Sequence, residues 1–472
     1  MDLSLLAPEI AVVVLALVVL GLDLFIRSKR VLGYLTLVGL VVPVALAASQ
    51  IGLQASSFSG ALIVDNFAVF FKLVFLLSAA LVALSAIHYA ERFLVWRGEL
   101  YAILLFATFG MMLMAGTGDL IAIYIALETA SISLYVLAGF SKRDPASAEA
   151  GLKYLLLGAL ASAVLLYGMA LLYGLTGSTT LAVIGQRIAT QAGQPLALLA
   201  MTLVVCGLGF KIAAVPFQMW APDVYQGAPT PVTAFLSVAS KASGFAVLLR
   251  LTTSALGPLQ SDWQALFAAL AVVTMTVGNL AAIPQRNIKR MMGYSSIAMA
   301  GYLLVGMAAL SAGGASSILL FLAAYTVTNL GAFAAIIAFS HATGSDEIED
   351  YSGLAGRSPL LALGFAFCLF SLIGIPPMAG FFGKFYVFAE AFNNGLQWLV
   401  VIALLNSAIS MYYYLRVVKV MYLGEARQTG AVRVPAPLVA AVAVTALGVV
   451  ALGIGIGPLM DTAVVAAQAL RP

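Results

Sequence analysis

Charge is what this sequence has least of. Only 9% of its 472 residues are Asp, Glu, Lys or Arg, while 63% are apolar. A soluble domain averages roughly 25% charged and about 45–50% apolar. Soluble, disordered and collagen-like classes are therefore excluded. There are only two cysteines and two histidines. Cys206 and Cys368 both lie in apolar runs, which excludes a disulfide framework and a four-cysteine cluster. His88 and His341 fall at the ends of different apolar runs, so a haem or zinc pair between them is not expected. The net charge of +4, from 23 basic against 19 acidic residues, gives no case for nucleic acid as a partner. No Walker-type phosphate loop, catalytic triad or metal-ligand spacing is present. The run Gly453-Ile454-Gly455-Ile456-Gly457 is glycine-rich, but it lacks the last glycine spacing and follows no strand, so it is no dinucleotide loop. The chain has no evident means of carrying electrons.

What is there is hydrocarbon in lengths that cross a bilayer, about 20 residues each. Fourteen helical spans are expected, near 5–26, 31–52, 66–87, 100–116, 119–139, 152–175, 196–219, 229–250, 263–284, 292–311, 315–340, 359–394, 397–421 and 437–459. The fold class is all-α and polytopic. The first span is too long for a signal peptide, has no basic flank and carries Glu9. The span at 359–394 is too long for one crossing and is interrupted at Ile375-Pro376-Pro377-Met378-Ala379-Gly380. Alternate loops divide the cations unequally. One side receives Arg27, Lys29, Arg30, Arg92, Arg97, Lys142, Arg143, Arg286, Lys289, Arg290, Arg357, Arg416, Lys419, Arg427 and Arg433. The other receives Arg187, Arg250 and Arg471. Both termini are expected on the non-cytoplasmic side.

The remaining five cations are lysines inside spans: Lys72, Lys153, Lys211, Lys241 and Lys384. A charge at mid-bilayer costs roughly 2.5–3.5 kcal/mol, so these five and Glu128 together would cost on the order of 15 kcal/mol. Such residues must face protein or water and are functional candidates. Glu128 shares a helix face with Tyr124, Ser131 and Tyr135. It either pairs with a buried lysine during ion transfer or merely locks two helices together. Lys211 is followed by Pro216, which breaks the helix and frees backbone carbonyls beside it. Burial disfavours its charge and a carboxylate favours it, so a moving partner can switch its protonation; a static ion pair with Glu128 or another acid is the alternative. Lys241, with Ser237 and Gly244 on its face, suits an intermediate proton station, or else a packing lysine bonded to a carbonyl. Lys384 follows a second proline break, a match to Lys211 in kind and not in register, with Tyr294, Ser295 and Ser296 where an acid would recur. Paired breaks of this sort point to an inverted-repeat transporter. Lys153 forms a surface-type i,i+4 pair with Glu149, Lys72 can snorkel, and Thr326 and Asn329 form a polar face open to water or to interhelical bonding.

The run from Gly207 to Lys241, with Gly-Phe-Lys-Ile-Ala-Ala-Val-Pro-Phe-Gln-Met-Trp-Ala-Pro-Asp at 209–223, closely resembles subunit N of type I NADH:quinone oxidoreductase, respiratory complex I. That family belongs with the other antiporter-like subunits and the multisubunit Na⁺/H⁺ antiporters. Gln285–Ile297 and Gly374–Lys384 match as well. The resemblance implies fourteen helices in a membrane arm, with two inverted five-helix repeats and broken seventh and twelfth helices. The expected division is 1–99 for helices 1–3, 100–250 for the first repeat, 251–421 for the second, and 422–472 for the last loop and helix. It places the family's acid on Glu128 and its lysines on Lys153, Lys211, Lys241 and Lys384, all in proton transfer. No cofactor or metal is expected in this chain; NADH, FMN, iron–sulfur clusters and quinone belong to partner subunits. The implied partners are neighbouring antiporter-like and small membrane subunits, the lipid bilayer, protons and water. The implied location is the bacterial cytoplasmic membrane. The rival is a subunit of a multisubunit Na⁺/H⁺ antiporter or a membrane-bound hydrogenase; a third reading is a passive scaffold.

Overall fold

The computed structural model describes residues 2–311, 314–426 and 430–470. Arg427 and Arg471, counted among the loop cations, lie outside the described residues. Within them, helices account for nearly every apolar run, since a backbone in hydrocarbon must satisfy its own hydrogen bonds. In chain order they are α1 (Leu3–Asp23), α2 (Arg30–Ala48), α3 (Asn66–Phe93), α4 (Arg97–Ala115), α5 (Leu120–Ala138), α6 (Pro145–Thr176) and α7 (Pro195–Ile212). Then come α8 (Trp220–Gly227), α9 (Thr230–Thr253), α10 (Gly257–Ala282), α11 (Ile288–Ala308) and α12 (Gly314–Thr343). The last are α13 (Pro359–Ile373), α14 (Ala379–Asn393), α15 (Gln397–Leu423), α16 (Ala436–Ile454) and α17 (Ile456–Gln468).

Thirteen of these are long and apolar enough to cross a membrane, and α13 with α14 makes the interrupted fourteenth. The chain is an integral, all-α membrane protein. Its helix starts follow local chemistry. Asp65, Asp119, Asp144 and Asn287 accept backbone N–H groups at the first turns of α3, α5, α6 and α11. Pro145 at the first position of α6 starts that helix seven residues earlier than its apolar stretch suggests. The span expected at 196–219 stops at Ile212, because Ala213 is left-handed (φ 58°). A two-stranded hairpin, β1 (Ala55–Ser57) with β2 (Leu62–Val64), and the helix α17 were not expected.

The two interruptions share one construction. At the first, Ala213 is left-handed, Ala214 N–H returns to Gly209 O at 2.8 Å, and Val215–Pro216 is cis. At the second, Gly374 is left-handed (φ 96°), Ile375 N–H returns to Phe370 O at 3.1 Å, and Pro376–Pro377 is cis. A second match lies between α4/α5 and α10/α11. A Cβ at Gly110 would sit 2.6 Å from Ala130 N; one at Gly278 would sit 2.6 Å from Ala298 N. Both contacts need glycine to let two helix backbones touch. Corresponding helices five crossings apart run in opposite directions, which is the inverted relation. The centre is formed by α9, α11 and α12, which are almost wholly enclosed, while α1, α2 and α6 turn apolar faces outward.

Candidate functional site

Buried cations in this fold fall into two groups. Lys72 on α3, Arg250 on α9 and Lys289 on α11 are closed by carboxylates: Lys72 Nζ lies 2.8 Å from Glu9 Oε1, Arg250 Nη1 lies 2.8 Å from Asp65 Oδ2, and Lys289 Nζ lies 3.5 Å from Asp346 Oδ2. Lys72 is fully enclosed between α1 and α3 and also meets Gln50, so it does not snorkel. Arg250 is buried beside Asp65, and so is no loop cation. Lys211, Lys241 and Lys384 are the second group. Each is buried, and among the described residues each amine meets only neutral oxygens.

Lys211, in the last turn of α7 before the break, donates to Ser131 Oγ at 3.0 Å. Glu128 lies one turn back on α5 and is only half-buried; it accepts the hydroxyl of Ser162 on α6. Among the described residues Glu128 and Lys211 make no direct ion pair: the amine bonds Ser131 and the carboxylate bonds Ser162. The break itself is packed by aromatics. Trp220 Nε1 donates to Phe210 O at 3.0 Å, and Trp220 stacks on Tyr154 with ring centroids 4.4 Å apart.

Lys241 follows a π-helical turn at Leu236–Ser240, an irregularity often found at functional positions. Its amine donates to Ser296 O at 2.6 Å and Ser296 Oγ at 2.9 Å. Ser296 lies nine residues after its helix cap Asn287, as Glu128 lies nine after Asp119. Lys241 thus reaches the place where the first repeat keeps its acid. Gly244, one turn on, leaves room for the Lys211 stem. A Cβ there would sit 2.7 Å from Ile212 Cγ2 and 3.3 Å from Lys211 Cγ. Gly244→Ala is expected to push Lys211 off Ser131 and to cost about 1–3 kcal/mol, read as a lowered melting temperature of the purified protein. Asn329 on α12 donates to Ser237 Oγ at 2.7 Å, while Thr326 bonds back to its own helix at Leu322 O.

Lys384 on α14 bends back to the end of α13, donating to Leu372 O at 2.9 Å, Ile373 O at 3.0 Å and Ser407 Oγ at 3.2 Å. It lies 4.8 Å from the centre of the Tyr302 ring. A groove of about 370 Å³ lined by Phe381, Phe385, Phe388 and Leu404 opens beside it. Counted from the left-handed residues, Lys384 stands ten after Gly374, as Asp223 stands ten after Ala213. Asp223 has a different task. It joins Lys153 (2.6 Å) to Arg290 (2.6 Å), and Lys153 also pairs with Glu149 at 2.7 Å. Lys153 is 41% exposed, because the early start of α6 leaves it near the helix end. The structure therefore does not bury Lys153 with the other three.

Comparisons with known proteins bear on this arrangement. The family described as "NADH:quinone oxidoreductase/Mrp antiporter, TM" matches residues 116–410. NADH-quinone oxidoreductase subunit N of Moorella thermoacetica is 46% identical over 98% of both chains. The chain belongs to the NADH-quinone oxidoreductase subunit N family. A chain of respiratory complex I from Thermus thermophilus, solved with bound aureothin, superposes with a TM-score of 0.83 at 35% identity, covering 96% of this chain and 98% of that one. A chain of the Mrp complex from a Dietzia species shares the fold, with a TM-score of 0.88 at 22% identity over 100% of this chain and 98% of that one. Within the subunit N family frame, the run 207–241 is the stretch that builds the first break, α8 and the π turn ahead of Lys241. Sequence reasoning did not single out Ser162 or Asp223. For Ser162 the signal available is a serine inside a long apolar helix; Asp223 lies in the short α8 between spans, and the partners of both are visible only once helices are packed.

Proposed function

We propose that this chain is a proton-translocating, antiporter-like membrane-arm subunit of a bacterial NADH:quinone oxidoreductase. Electron transfer from NADH to quinone takes place on partner subunits that carry the FMN and iron–sulfur clusters. In this reading the protein lies in the cytoplasmic membrane with both termini on the non-cytoplasmic side. Residues 100–250 and 251–421 act as the two inverted halves, between helices 1–3 and the final loop and helix. Protons enter toward Lys211, pass to Lys241 and leave by Lys384. Lys153, held by Glu149 and Asp223, stands at the cytoplasmic mouth. Glu128 tunes Lys211 electrostatically and, being half-buried on α5, faces an adjoining subunit.

The observation that carries this reading is that, among the described residues, no carboxylate comes within ion-pair distance of the three central lysines, in a fold that supplies one to Lys72 and Arg250. A permanent charge at that depth is held most strongly by an acid, although backbone carbonyls can also receive it. An amine bonded only to hydroxyls and carbonyls can exist with or without its proton, as a carrier must. The relation to the Thermus chain favours complex I over a cation antiporter. In the assembled complex in inverted vesicles, Lys211→Met or Lys241→Met is expected to lower proton uptake per NADH oxidised while the complex still assembles. Unchanged uptake in both variants would defeat the carrier role. Purification without an NADH-oxidising arm would favour the antiporter reading instead.

A further inference from the structure

Between Lys241 and Lys384 runs a row of buried hydroxyls that no lysine-based account uses. Ser296 holds the Lys241 amine, and Ser295 beside it bonds the hydroxyl of Tyr414 on α15. Tyr413 is the next residue, with ring centroids 4.4 Å apart. Its hydroxyl lies 3.0 Å from Asn279 Oδ1 on α10. Asn279 Nδ2 lies 3.1 Å from the Tyr302 hydroxyl, and the Tyr302 ring lies under the Lys384 amine. Ser295 and Tyr302 share one face of α11, two turns apart, and Ser407, Ser410 and Tyr414 share one face of α15. Every one of Asn279, Ser295, Tyr302, Tyr413 and Tyr414 is fully buried.

The direction of the bonds at Asn279 is fixed by chemistry. Asn406 Nδ2 lies 3.0 Å from Ile402 O, and Asn279 Nδ2 lies 3.1 Å from Asn406 O. A backbone carbonyl only accepts, so each of these amide nitrogens must face its carbonyl, and the two amide orientations are determined. Asn279 Oδ1 therefore faces Tyr413, which has to donate, and Asn279 Nδ2 donates to Tyr302, which has to accept. The links at Asn279 thus run from Tyr413 toward Tyr302, while the Ser295–Tyr414 bond can run either way.

We propose that Tyr414, Tyr413 and Tyr302 are the proton relay between Lys241 and Lys384, with Asn279 as the positioning residue that sets its direction. The inference rests on the proton-carrying reading of the two lysines. A proton leaves the Lys241 ammonium as its N–H bond breaks and is taken up by the serine pair. The step from Ser296 to Ser295 needs side-chain rotation, because their hydroxyls meet different partners. Tyr414 and then Tyr413 each gain one proton on oxygen and pass on their own. Tyr413 turns off Asn279 Oδ1 to deliver to Tyr302, since a carboxamide does not hand protons on at ordinary pH. The proton ends as a new N–H bond on Lys384. Nothing is oxidised or reduced.

The test uses the assembled NADH-oxidising complex in inverted vesicles, with proton uptake and NADH oxidation measured together. Tyr413→Phe and Tyr302→Phe keep the rings and delete the hydroxyls; Asn279→Leu keeps the volume and removes the direction. A proton-transfer group contributes about 10²–10⁴-fold to its step. Each variant should therefore lower uptake per NADH to the level of Lys241→Met. A merely structural role would change the amount of assembled complex and leave that ratio unmoved. Normal ratios in the tyrosine variants alongside a lowered ratio in Lys241→Met overturn the relay and leave the lysine reading standing. A normal ratio in Lys241→Met overturns both. If Tyr413→Phe fails to assemble, Tyr414→Phe carries the same two outcomes.

Discussion

Replacing Arg250 by methionine is expected to destabilise the protein by about 3–5 kcal/mol, the range for removing one partner of a buried ion pair. The guanidinium grips both oxygens of Asp65, at 2.8 and 3.1 Å, and donates to Ala115 O at 2.8 Å. It also lies over the Phe67 ring, 4.8 Å from its centre. Three helices, α3, α4 and α9, meet at this one side chain. Without it, the Asp65 carboxylate keeps, among the described residues, its cap bond to Ala68 N–H at 2.7 Å. Arg250→Lys recovers part of the loss at most, because an ammonium does not span two carboxylate oxygens and a carbonyl at once. The double variant Arg250→Met with Asp65→Asn should be more stable than Arg250→Met alone, because the stranded charge is gone. Melting temperature and yield from membranes check all three. If Arg250→Met melted like the wild type, the pair would be a packing contact only.

Arg250 also shows where sequence stops. Helix number and class were legible because hydrocarbon runs have few other solutions in a bilayer. The breaks were legible because proline leaves a carbonyl unpaired. The three central lysines were legible because charge at that depth is costly. What sequence did not show is which cations have partners. Lys72 and Lys241 look alike along the chain, yet one meets Glu9 from another helix and the other meets a serine. Pairing depends on residues more than fifty positions away, and hydropathy carries no such distance. The same holds for Glu128, which reads as buried but sits half-open on α5, and for Lys153, which the longer α6 carries toward its end.

The repeat shows a related limit. In register, Lys384 corresponds to Asp223 and Lys211 corresponds to Leu372. The chemical match is nevertheless spatial. Lys384 starts beyond the break and folds back until its amine rests on Leu372 O and Ile373 O, the backbone of the turn that in the first half carries Lys211. Lys211 and Lys384 thus serve their broken helices from opposite sides of the break, one amine reaching Ser131 on α5 and the other the end of α13. Counting residues would miss this; following side-chain length finds it.

That second break depends on a glycine that sequence reading set aside. Gly453→Ala on α16 is expected to be severe. A Cβ there would lie 1.7 Å from Pro377 O, 2.8 Å from Pro377 C and 2.9 Å from Met378 C. These are backbone atoms of the break, so no side chain can swing away to make room. Overpacking of this kind costs about 1–3 kcal/mol and occasionally more. Relief has to come from shifting α16 or from moving the break. Moving the break displaces the chain between Ile373 and Ala379, and with it the carbonyls that hold Lys384. The neighbouring glycines supply the comparison within one short run. A Cβ at Gly455 would meet only Ala451 O of its own helix, at 3.2 Å, and one at Gly457 meets nothing within 4 Å. Gly457→Ala should be neutral or stabilising by up to about 0.5–1 kcal/mol, since it lies within α17. The order expected for both melting temperature and proton uptake per NADH is Gly457→Ala highest, Gly455→Ala next and Gly453→Ala far below. Equal behaviour of Gly453→Ala and Gly457→Ala would mean that α16 does not brace the break, and that Lys384 is held by α13 and α15 alone.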